Sequence, residues 1–350
     1  MSILKELIEF DETHRRLFFR KLQQKNNEKK FDLFLTIIKY SSDKEKAQLY
    51  STISDRFVSY LEKEANKREN IKKENYEKAE KKIKLLIDTM EKKLKKALNH
   101  TKILKPEIKK QRDFMKAKRW NDFNIITDEL LDMPKPEEVK EYDTNSKIIT
   151  LPEPDDKILK NKDIYQCITK RKSRRKFKND SLKIDELSYL LYTTQGVRDK
   201  KDKYHKKTVP SGGARQPFET YLAINNVEGL KKGLYRYLIF DHKLLFIEAL
   251  PGLKESVENA VLGQKFVSEA SAIFFWAAIP YRMEWKYFLK SHKVILLEAG
   301  HICQNLYLAA ESINCGTCAI GAYDQKKVDD LFKLDGVEEF IVYIAPVGKV

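Results

Sequence analysis

The sequence predicts an α+β fold preceded by an all-helical N-terminal region, and two observations support this prediction. All 12 glycines lie at or after Gly196, and the first 105 residues contain neither glycine nor proline. Such a long stretch without these residues is typical of helices joined by polar turns. In the second half, segments with helical spacing alternate with short strand-like runs, which indicates a sheet with helices packed on it.

The composition is that of a folded, basic protein. Hydrophobic residues make up 42% of the 350 residues and aromatic residues 11%, which argues against general disorder. The net charge of +16 is spread over both halves of the chain, so no single basic tail carries it. Four cysteines are too few for a disulfide framework, and neither a secretory signal nor a membrane-spanning apolar run is evident. We therefore expect a soluble, cytoplasmic protein.

The N-terminal half predicts several amphipathic helices. Residues 31–40 have the spacing of a buried helix, and Ser42 with Glu45 forms a capping box that opens the next one. Apolar residues from Tyr76 to Ala97 recur every three or four positions, which predicts a helix that buries one face. Coiled-coil pairing and antiparallel packing on a neighbouring helix both fit this stripe.

The segment 72–119 is the most basic part of the chain, with 18 basic and 7 acidic residues. Lysines on a helix attract phosphates, but this segment lacks the interleaved aromatic residues and glycines that stack on bases. A solvated lysine-rich face is the simpler interpretation, so we do not expect nucleic acid as a partner.

A connector separates the two halves. Residues 132–156 contain four prolines and an excess of acidic residues, which is typical of an extended linker. The predicted domains are therefore a lysine-rich helical domain over 1–148, which includes most of the connector, and a second domain over 149–350.

The second domain predicts alternating helices and strands. The predicted helices are 157–170, 183–194, 252–261 and 291–313. The predicted strands are 218–225, 234–239, 243–248, 272–279 and 340–347. The last of these helices is apolar over a wide arc, so it must be covered on several sides, and His301 within it is expected to be buried. These elements predict a mostly antiparallel or mixed sheet around a central helix.

Three separated segments have the composition of a site for an anion and a flat ring. The turn 171–175 places four cations and a hydroxyl beside a helix, which suits a phosphate. The loop 210–217 carries two glycines that let a ligand approach the backbone. Residues 320–322 and 348–349 add further glycines after the central helix. Taken singly, each segment is more simply a turn.

From about residue 160 to 349 the sequence resembles the nitroreductase flavoprotein superfamily, and within it the SagB-type dehydrogenase branch. The segments that carry the resemblance stand in the family's order: RKSRRKF (171–177), PSGGARQPFETYL (210–222), GLYRY (233–237), LGQ (262–264), LLEAGHICQNLYLAA (296–310), GTCAIGAYD (316–324) and PVGK (346–349). Together they form a specific signal, and they leave the N-terminal half unmatched.

The resemblance implies an FMN-binding α+β fold that is an obligate homodimer, with FMN in a groove at the subunit interface. Arg171, Lys172, Ser173 and Arg175 match the motif that holds the FMN phosphate and ribityl chain. Lys349 matches a basic position near that phosphate. These cations would also suit a reduced flavin, which carries negative charge.

The resemblance also implies which segments meet the isoalloxazine ring. Pro210, Ser211 and Gly212 match a loop that lies against the ring and is typically supplied by the second subunit. Ile320 and Gly321 match the backbone segment beside the ring. Hydride then passes directly between flavin N5 and a substrate on the exposed face of the ring.

Lys286 and Tyr287 match a Lys-Tyr pair that is implicated in catalysis in azoline-oxidising members of the branch. Oxidation of a thiazoline or oxazoline removes a ring proton as well as a hydride, and a Lys or a Tyr could accept that proton. Otherwise Tyr287 packs and Lys286 is solvated. Cys315 and Cys318 have CxxC spacing, but no second pair completes a zinc site, so we assign them a structural role and expect no metal.

The sequence thus predicts an FMN-dependent oxidoreductase and leaves its substrate open. One class is an azoline in a modified peptide, and the other is a nitro or quinone compound reduced with NAD(P)H as the electron donor. The alternative is a binding or scaffold protein that uses its basic N-terminal helices beside an inert flavin fold.

Overall fold

The chain, described from a computed structural model, forms two compact units, residues 1–112 and 113–350. The described residues are 3–9, 15, 18–20, 22, 28–52, 55–66, 76–117, 120, 126–143, 145–199 and 205–350. Within those ranges, no helix combines the length and the apolar character that crossing a bilayer would need.

The N-terminal unit consists of helices, as the sequence predicts. Its described helices are α1 (Ile3–Glu9), α2 (Glu28–Tyr40), α3 (Asp43–Tyr50), α4 (Asp55–Asn66) and α5 (Tyr76–Phe114). The predicted capping box is confirmed, because the side chains of Ser42 and Glu45 each accept a hydrogen bond from the other's backbone N–H at 3.3 Å. The core of this unit includes Phe18, Phe19 and Phe34, whose rings meet edge to face.

The C-terminal unit is built on one seven-stranded sheet. Its strands are β1 (Ile148–Thr150), β2 (Phe218–Ile224), β3 (Gly233–Leu238), β4 (Lys243–Glu248), β5 (Ala272–Ala278), β6 (Cys315–Thr317) and β7 (Phe340–Lys349). Their order in the sheet is β1-β4-β3-β2-β5-β7-β6, and every neighbouring pair is antiparallel. The predicted fold class is therefore confirmed.

Helices cover both faces of this sheet. They are α6 (Ile164–Lys170), α7 (Ile184–Gln195), α8 (Leu253–Ala260), α9 (Lys265–Ser268), α10 (Tyr281–Tyr287), α11 (Ser291–Ser312) and α12 (Gln325–Leu331). Neighbouring side chains of a strand point to opposite faces. Phe274 of β5 therefore joins the core with α7 and α11, whereas Phe275 joins the core with α8 and α12. The long helix α11 is the predicted central helix.

Three local predictions were wrong. The helix predicted over 157–170 begins only at Ile164, because the Asp163 carboxylate accepts backbone N–H bonds in the first turn and caps the helix there. The predicted connector contains β1, which pairs with β4 at the edge of the sheet. His301 is exposed, because it lies on the face of α11 that points away from the core.

The structure divides the chain at residue 112, whereas the sequence analysis places the boundary near 148. Residues 140 and 141, which follow residue 112 in the chain, are bound to the sheet by hydrogen bonds and an ion pair. The Arg236 guanidinium donates to the carbonyl oxygens of Lys140 and Glu141 at 2.9 and 3.1 Å. Lys140 in turn donates to the Tyr221 hydroxyl at 2.9 Å and pairs with Glu339. The connector therefore runs along the C-terminal unit.

Candidate functional site

Three cations of the basic turn after α6 have no counter-charge. The Arg171 guanidinium carbon lies 5.2 Å from the ring centroid of Tyr307, and that of Arg175 lies 5.9 Å from the ring centroid of Phe266. Lys172 is exposed. In the part of the chain that the structure describes, no carboxylate pairs with any of these three cations. They are therefore free to bind an anion.

Two other residues of the turn attach it to α11 and its surroundings. Arg174 donates to both carboxylate oxygens of Glu311, at 3.0 and 3.2 Å, so this cation is structural. The Ser173 hydroxyl lies 2.9 Å from the Tyr307 hydroxyl, which also accepts the backbone N–H of Ala319 at 2.8 Å. Tyr307 thus joins the basic turn to the segment that leads into residues 320 and 321.

Ile320 and Gly321 differ in what they offer a ligand. The Ile320 N–H donates to the Ile344 carbonyl at 2.8 Å, and the Ile320 side chain is buried in the core. Gly321 is exposed, and a Cβ placed on it would meet no atom within 4 Å. Among the described residues its N–H has no backbone acceptor. The open position of this segment is therefore Gly321.

Lys349, at the end of β7, lies close to the basic turn, but its side chain is already paired with an acidic residue. Its ammonium pairs with the Glu186 carboxylate. Its backbone carbonyl accepts the N–H of Lys178 at 2.9 Å, just after the turn. The structure therefore brings the Lys349 backbone, but not an unpaired charge, to the turn.

Pro210 opens a second candidate segment, the glycine loop (residues 210–216). The Gly212 N–H donates to the Glu298 carboxylate of α11 at 2.6 Å. The Ser211 side chain hydrogen-bonds to the same carboxylate. The loop is thus held on the first half of the central helix by one acidic side chain.

Gly213 brings the glycine loop against the Lys-Tyr pair of α10. It has a φ of +58°, which favours glycine, and a Cβ there would lie 2.5 Å from the Tyr287 hydroxyl oxygen. The same Cβ would lie 3.3 Å from Cδ of Lys286. Two segments that are distant in sequence therefore form one cluster, and only glycine fits at their contact.

The Lys-Tyr pair is partly covered by residues 126–140, here named the strap. The Lys286 ammonium lies 2.5 Å from a Glu129 carboxylate oxygen, and the Glu129 N–H donates to the Trp285 carbonyl at 3.0 Å. Trp120, just before the strap, has its ring centroid 5.9 Å from that of Tyr287. Lys286 is thus paired, and Tyr287 lies between Trp120 and the glycine loop.

The carboxyl group beneath the glycine loop has an unusual environment. Glu298 is 4% exposed, and burial raises its pKa to about 7, although the hydrogen bonds to the loop act in the opposite direction. Lys207 is also buried, which lowers its pKa to about 8 against the effect of the Glu219 carboxylate. Glu219 is in turn paired with Arg282 at 2.8 Å. A buried network of charged groups therefore supports the loop.

The structure assembles the predicted residues into two clusters rather than one. The first joins the basic turn to Gly321 through Tyr307, and the second joins the glycine loop to Lys286 and Tyr287. Their attachment points on α11, Tyr307 and Glu298, are nine residues apart, or about 13 Å along the helix. The two clusters therefore meet α11 at separate places.

The sequence profile of the nitroreductase family matches residues 168–349, which include both clusters. The chain belongs to the nitroreductase family. A protein of Methanocaldococcus jannaschii that is named as a nitroreductase is 32% identical over 190 residues, which cover 53% of this chain and 90% of that protein. The family typically binds flavin, and its fold accounts for the sheet and the central helix described above.

Two further relatives extend the comparison. The trifolitoxin-processing protein TfxB of Rhizobium leguminosarum bv. trifolii is 27% identical over 175 residues, which cover 45% of this chain and 44% of that protein. A crystal structure described as a nitroreductase from Ralstonia eutropha superposes with a TM-score of 0.50 at 25% identity. That match covers 61% of this chain and 97% of the other.

The cysteines of this nitroreductase-family chain lie inside the fold. Cys315 and Cys318 are both free thiols and buried, and burial raises the pKa of Cys315 to about 12. Burial also raises the pKa of Cys303 to about 12. Over the described ranges, no group of histidine, cysteine or acidic side chains could hold a metal ion.

Three residues of the clusters are absent from the sequence predictions. Glu298 and Tyr307 carry a signal, because each is a polar side chain on the apolar arc of the helix. Glu129 carries none, because the segment around it has no helical or strand periodicity. Its importance appears only when the strap lies on α10.

Proposed function

We propose that this protein is an FMN-dependent oxidoreductase that transfers hydride between the flavin and an organic substrate. The observation that carries the proposal is the group of unpaired cations, Arg171, Lys172 and Arg175, beside a hydroxyl that Tyr307 holds in place. Three cations within five residues repel one another, and an anion bound between them offsets that repulsion. A phosphate ester is an anion of suitable charge and size.

The donor set fits FMN at both ends of that molecule. The guanidinium groups can donate pairs of hydrogen bonds to phosphate oxygens, and Ser173 adds a hydroxyl. Gly321 leaves open space and a free N–H at the position that the resemblance assigns to the ring. When bound, FMN supplies the hydride chemistry, which no protein side chain provides.

The second cluster provides groups for proton transfer. When an azoline ring becomes an azole, it loses one hydride and one proton, so a base must accept the proton while the flavin accepts the hydride. Lys286 and Tyr287 supply the three heavy atoms nearest to a Cβ placed on Gly213, and both side chains can carry a proton. We assign them to this step. Lys286 accepts the ring proton in its neutral amine form, and Glu129 then pairs with the ammonium that results.

Two substrate classes fit such a site. The sequence likeness to a trifolitoxin-processing protein and the Lys-Tyr pair beside the glycine loop support an azoline in a modified peptide. The stronger likeness to a protein named as a nitroreductase supports reduction of a nitro or quinone compound with NAD(P)H. The alternative of a scaffold with an inert flavin fold has no support in the comparisons.

We also propose that the active form is a homodimer. The two clusters are separated along α11, and the resemblance assigns the glycine loop to the site of the other subunit. The exposed face of α11 carries Leu296, Leu297 and Gly300, which a second copy could cover. A partner chain would then supply a glycine loop to each basic turn.

The visible spectrum of the purified protein tests the cofactor directly. We expect a yellow protein, or an apoprotein that quenches FMN fluorescence on titration. Arg171→Ala and Arg175→Ala should each weaken FMN affinity about tenfold or more, because each removes a charge-assisted contact to phosphate. Lys176→Ala is the matched control, since this exposed cation lies in the same segment outside the proposed set.

The possible results distinguish the proposal from its alternatives. A colourless protein that stays free of FMN after incubation would contradict the proposal, as would equal losses in all three variants. Turnover of the loaded enzyme with NADH or NADPH and a quinone would select the reductase. Formation of an azole from an azoline peptide with oxygen as acceptor would select the dehydrogenase.

A further inference from the structure

The helix α5 carries one continuous stripe that its own unit covers only in part. Residues that are mostly apolar or small occur at intervals that alternate between four and three positions, which is the spacing of a heptad repeat. Pro106 lies within the helix at the heptad position opposite this stripe. The positions of the stripe are Ile83, Ile87, Met90, Leu94, Ala97, Thr101, Leu104, Ile108 and Gln111. We name its second part, from Ala97 to Gln111, the open seam.

The two parts of the stripe differ in burial. Ile83 and Ile87 are fully buried in the core of the N-terminal unit, and Met90 packs against that core. In the open seam every residue of the stripe is exposed, with Leu104 at 38% and Ile108 at 41%. The helix therefore continues the same face for four more turns, and no residue that the structure describes buries these side chains.

The surroundings of the open seam are strongly basic. Residues 92–112 contain nine basic residues and one acidic residue, Glu107. On one side of the seam, the flanking heptad positions carry the exposed Leu98, no acidic residue and five cations. The cations are Lys95, Lys102, Lys105, Lys109 and Arg112.

We propose that the open seam of α5 binds an acidic amphipathic helix of another protein by coiled-coil packing. The heptad spacing selects a helix as the partner, because only a second heptad seam interlocks with this one over several turns. The cationic flank selects acidic residues beside the partner's seam, because charges at flanking positions determine coiled-coil pairing. This site is separate from the proposed flavin chemistry and does not depend on it.

Other occupants fit the open seam less well. A second copy of α5 would bring two segments with the same large positive charge side by side, which opposes pairing. Nucleic acid would engage the cations but would leave Leu104 and Ile108 in water, and the segment lacks aromatic residues that stack on bases. An acidic helix satisfies both the apolar stripe and the charge.

A designed peptide tests the proposal on the full-length protein. The probe is a labelled helix of about three heptads with Leu and Ile in the seam and Glu at the flanking positions. Two control peptides keep either the seam with Lys flanks or the acidic composition in scrambled order. We expect the acidic heptad peptide alone to bind in fluorescence anisotropy, with affinity falling as salt rises from about 50 to about 300 mM.

Variants of the protein locate the binding surface. Leu104→Glu combined with Ile108→Glu should weaken peptide binding about tenfold or more, because it places charges in the seam. Leu85→Glu is the matched control, since Leu85 is an exposed leucine on the opposite face of α5, and it should leave binding unchanged. Circular dichroism checks that each variant keeps its helix content.

Several results would overturn the proposal. These are no binding of the acidic heptad peptide, equal binding of the scrambled peptide, and equal binding by the seam variant. Loss of self-association in the seam variant would show that a second copy occupies the seam. Tighter binding of an RNA or DNA oligomer than of the peptide would assign the surface to nucleic acid.

Discussion

Glu298 shows how one buried side chain can hold the glycine loop. Its carboxylate accepts the Gly212 N–H at 2.6 Å, yet burial raises its pKa from the ordinary 4.5 to about 7. The folded protein therefore binds this proton more tightly than the unfolded chain does. Linkage then requires that this group lowers the free energy of unfolding as the pH rises from about 4.5 to about 7. The shift corresponds to a loss on the order of 3 kcal/mol.

Glu298→Gln should remove that pH dependence. The amide keeps an oxygen that can accept the Gly212 N–H but cannot ionise, so we expect the variant to gain stability relative to the parent between about pH 5 and about pH 7. Urea unfolding at both pH values measures the difference. Lys207 does not contribute to this pH dependence, because its pKa is about 8 and it stays protonated between about pH 5 and about pH 7.

An exposed glutamate serves as the reference for that measurement. Glu255→Gln on α8 changes the same chemical group at the surface and should show no such pH-dependent gain. If Glu298→Gln and the parent differed by the same free energy at both pH values, the carboxyl group would not titrate in this range.

At the scale of single residues, the sequence predicts where charged side chains cluster better than it predicts which residues they pair with. The cations of the basic turn are evident as a run, and three of them are unpaired in the structure. The pairing of Lys349 with Glu186 could not be predicted, because the two residues are 163 positions apart and meet only through the sheet. The same holds for Glu298 and Gly212, which are 86 positions apart.

At the scale of elements, the strap and α10 form the least expected contact of the chain. Tyr281 donates to an Asp128 carboxylate oxygen at 2.8 Å, and the Trp285 indole N–H donates to the Met133 carbonyl at 3.0 Å. With the ion pair between Glu129 and Lys286, these contacts fix the strap beside the glycine loop. We therefore expect the strap to orient the Lys286 side chain.

Substitutions on both sides of that ion pair separate catalysis from positioning. Lys286→Met should lower kcat about 100-fold or more with FMN affinity unchanged, because a proton-transfer group typically contributes this much. Glu129→Gln should cause a smaller loss, since the Lys286 amine remains and only its orientation and the pairing of its protonated form suffer. Steady-state kinetics of the FMN-loaded enzyme, with FMN content from its visible spectrum, provide the measurement.

Tyr281→Phe is the control for the strap. It removes a hydrogen bond between the strap and α10 but leaves the ion pair with Lys286, so kcat should stay close to that of the parent. A Lys286→Met enzyme with normal kcat would mean that Lys286 serves only to attach the strap.

The elements that the sequence predicts well are those that bury both faces. β5 is a continuous apolar run and β2 is mostly apolar, and both are completely buried, so both are evident without a structure. β1 and β6 have only three residues each and lie at the two edges of the sheet, so no periodicity indicates them. The start of α6 is predicted wrongly for a different reason, because the side chain of Asp163 caps the helix and so sets its first residue.

At the scale of the whole molecule, the distance between the two clusters determines whether one chain or two would form the flavin site. The sequence resemblance assigns each cluster to a motif of the nitroreductase family, and in the structure the basic turn and the glycine loop attach to α11 about 13 Å apart along the helix. The sequence resemblance anticipates this by assigning the loop to a second subunit. The exposed side of α11, with Leu296 at 49% and Leu297 at 53%, is the surface on which two copies would meet.

Leu297→Glu should therefore break both the dimer and the flavin site. A charged side chain in an apolar contact loses its hydration without gaining a partner, so we expect a monomer in light scattering and FMN binding at least about tenfold weaker. Val337→Glu is the control, since it charges another exposed apolar residue, in the loop before β7, and should alter neither property. A monomeric Leu297→Glu protein that still bound FMN with the parent's affinity would show that one chain completes the site. A parent protein that is itself monomeric while loaded with FMN would reject the two-subunit arrangement altogether.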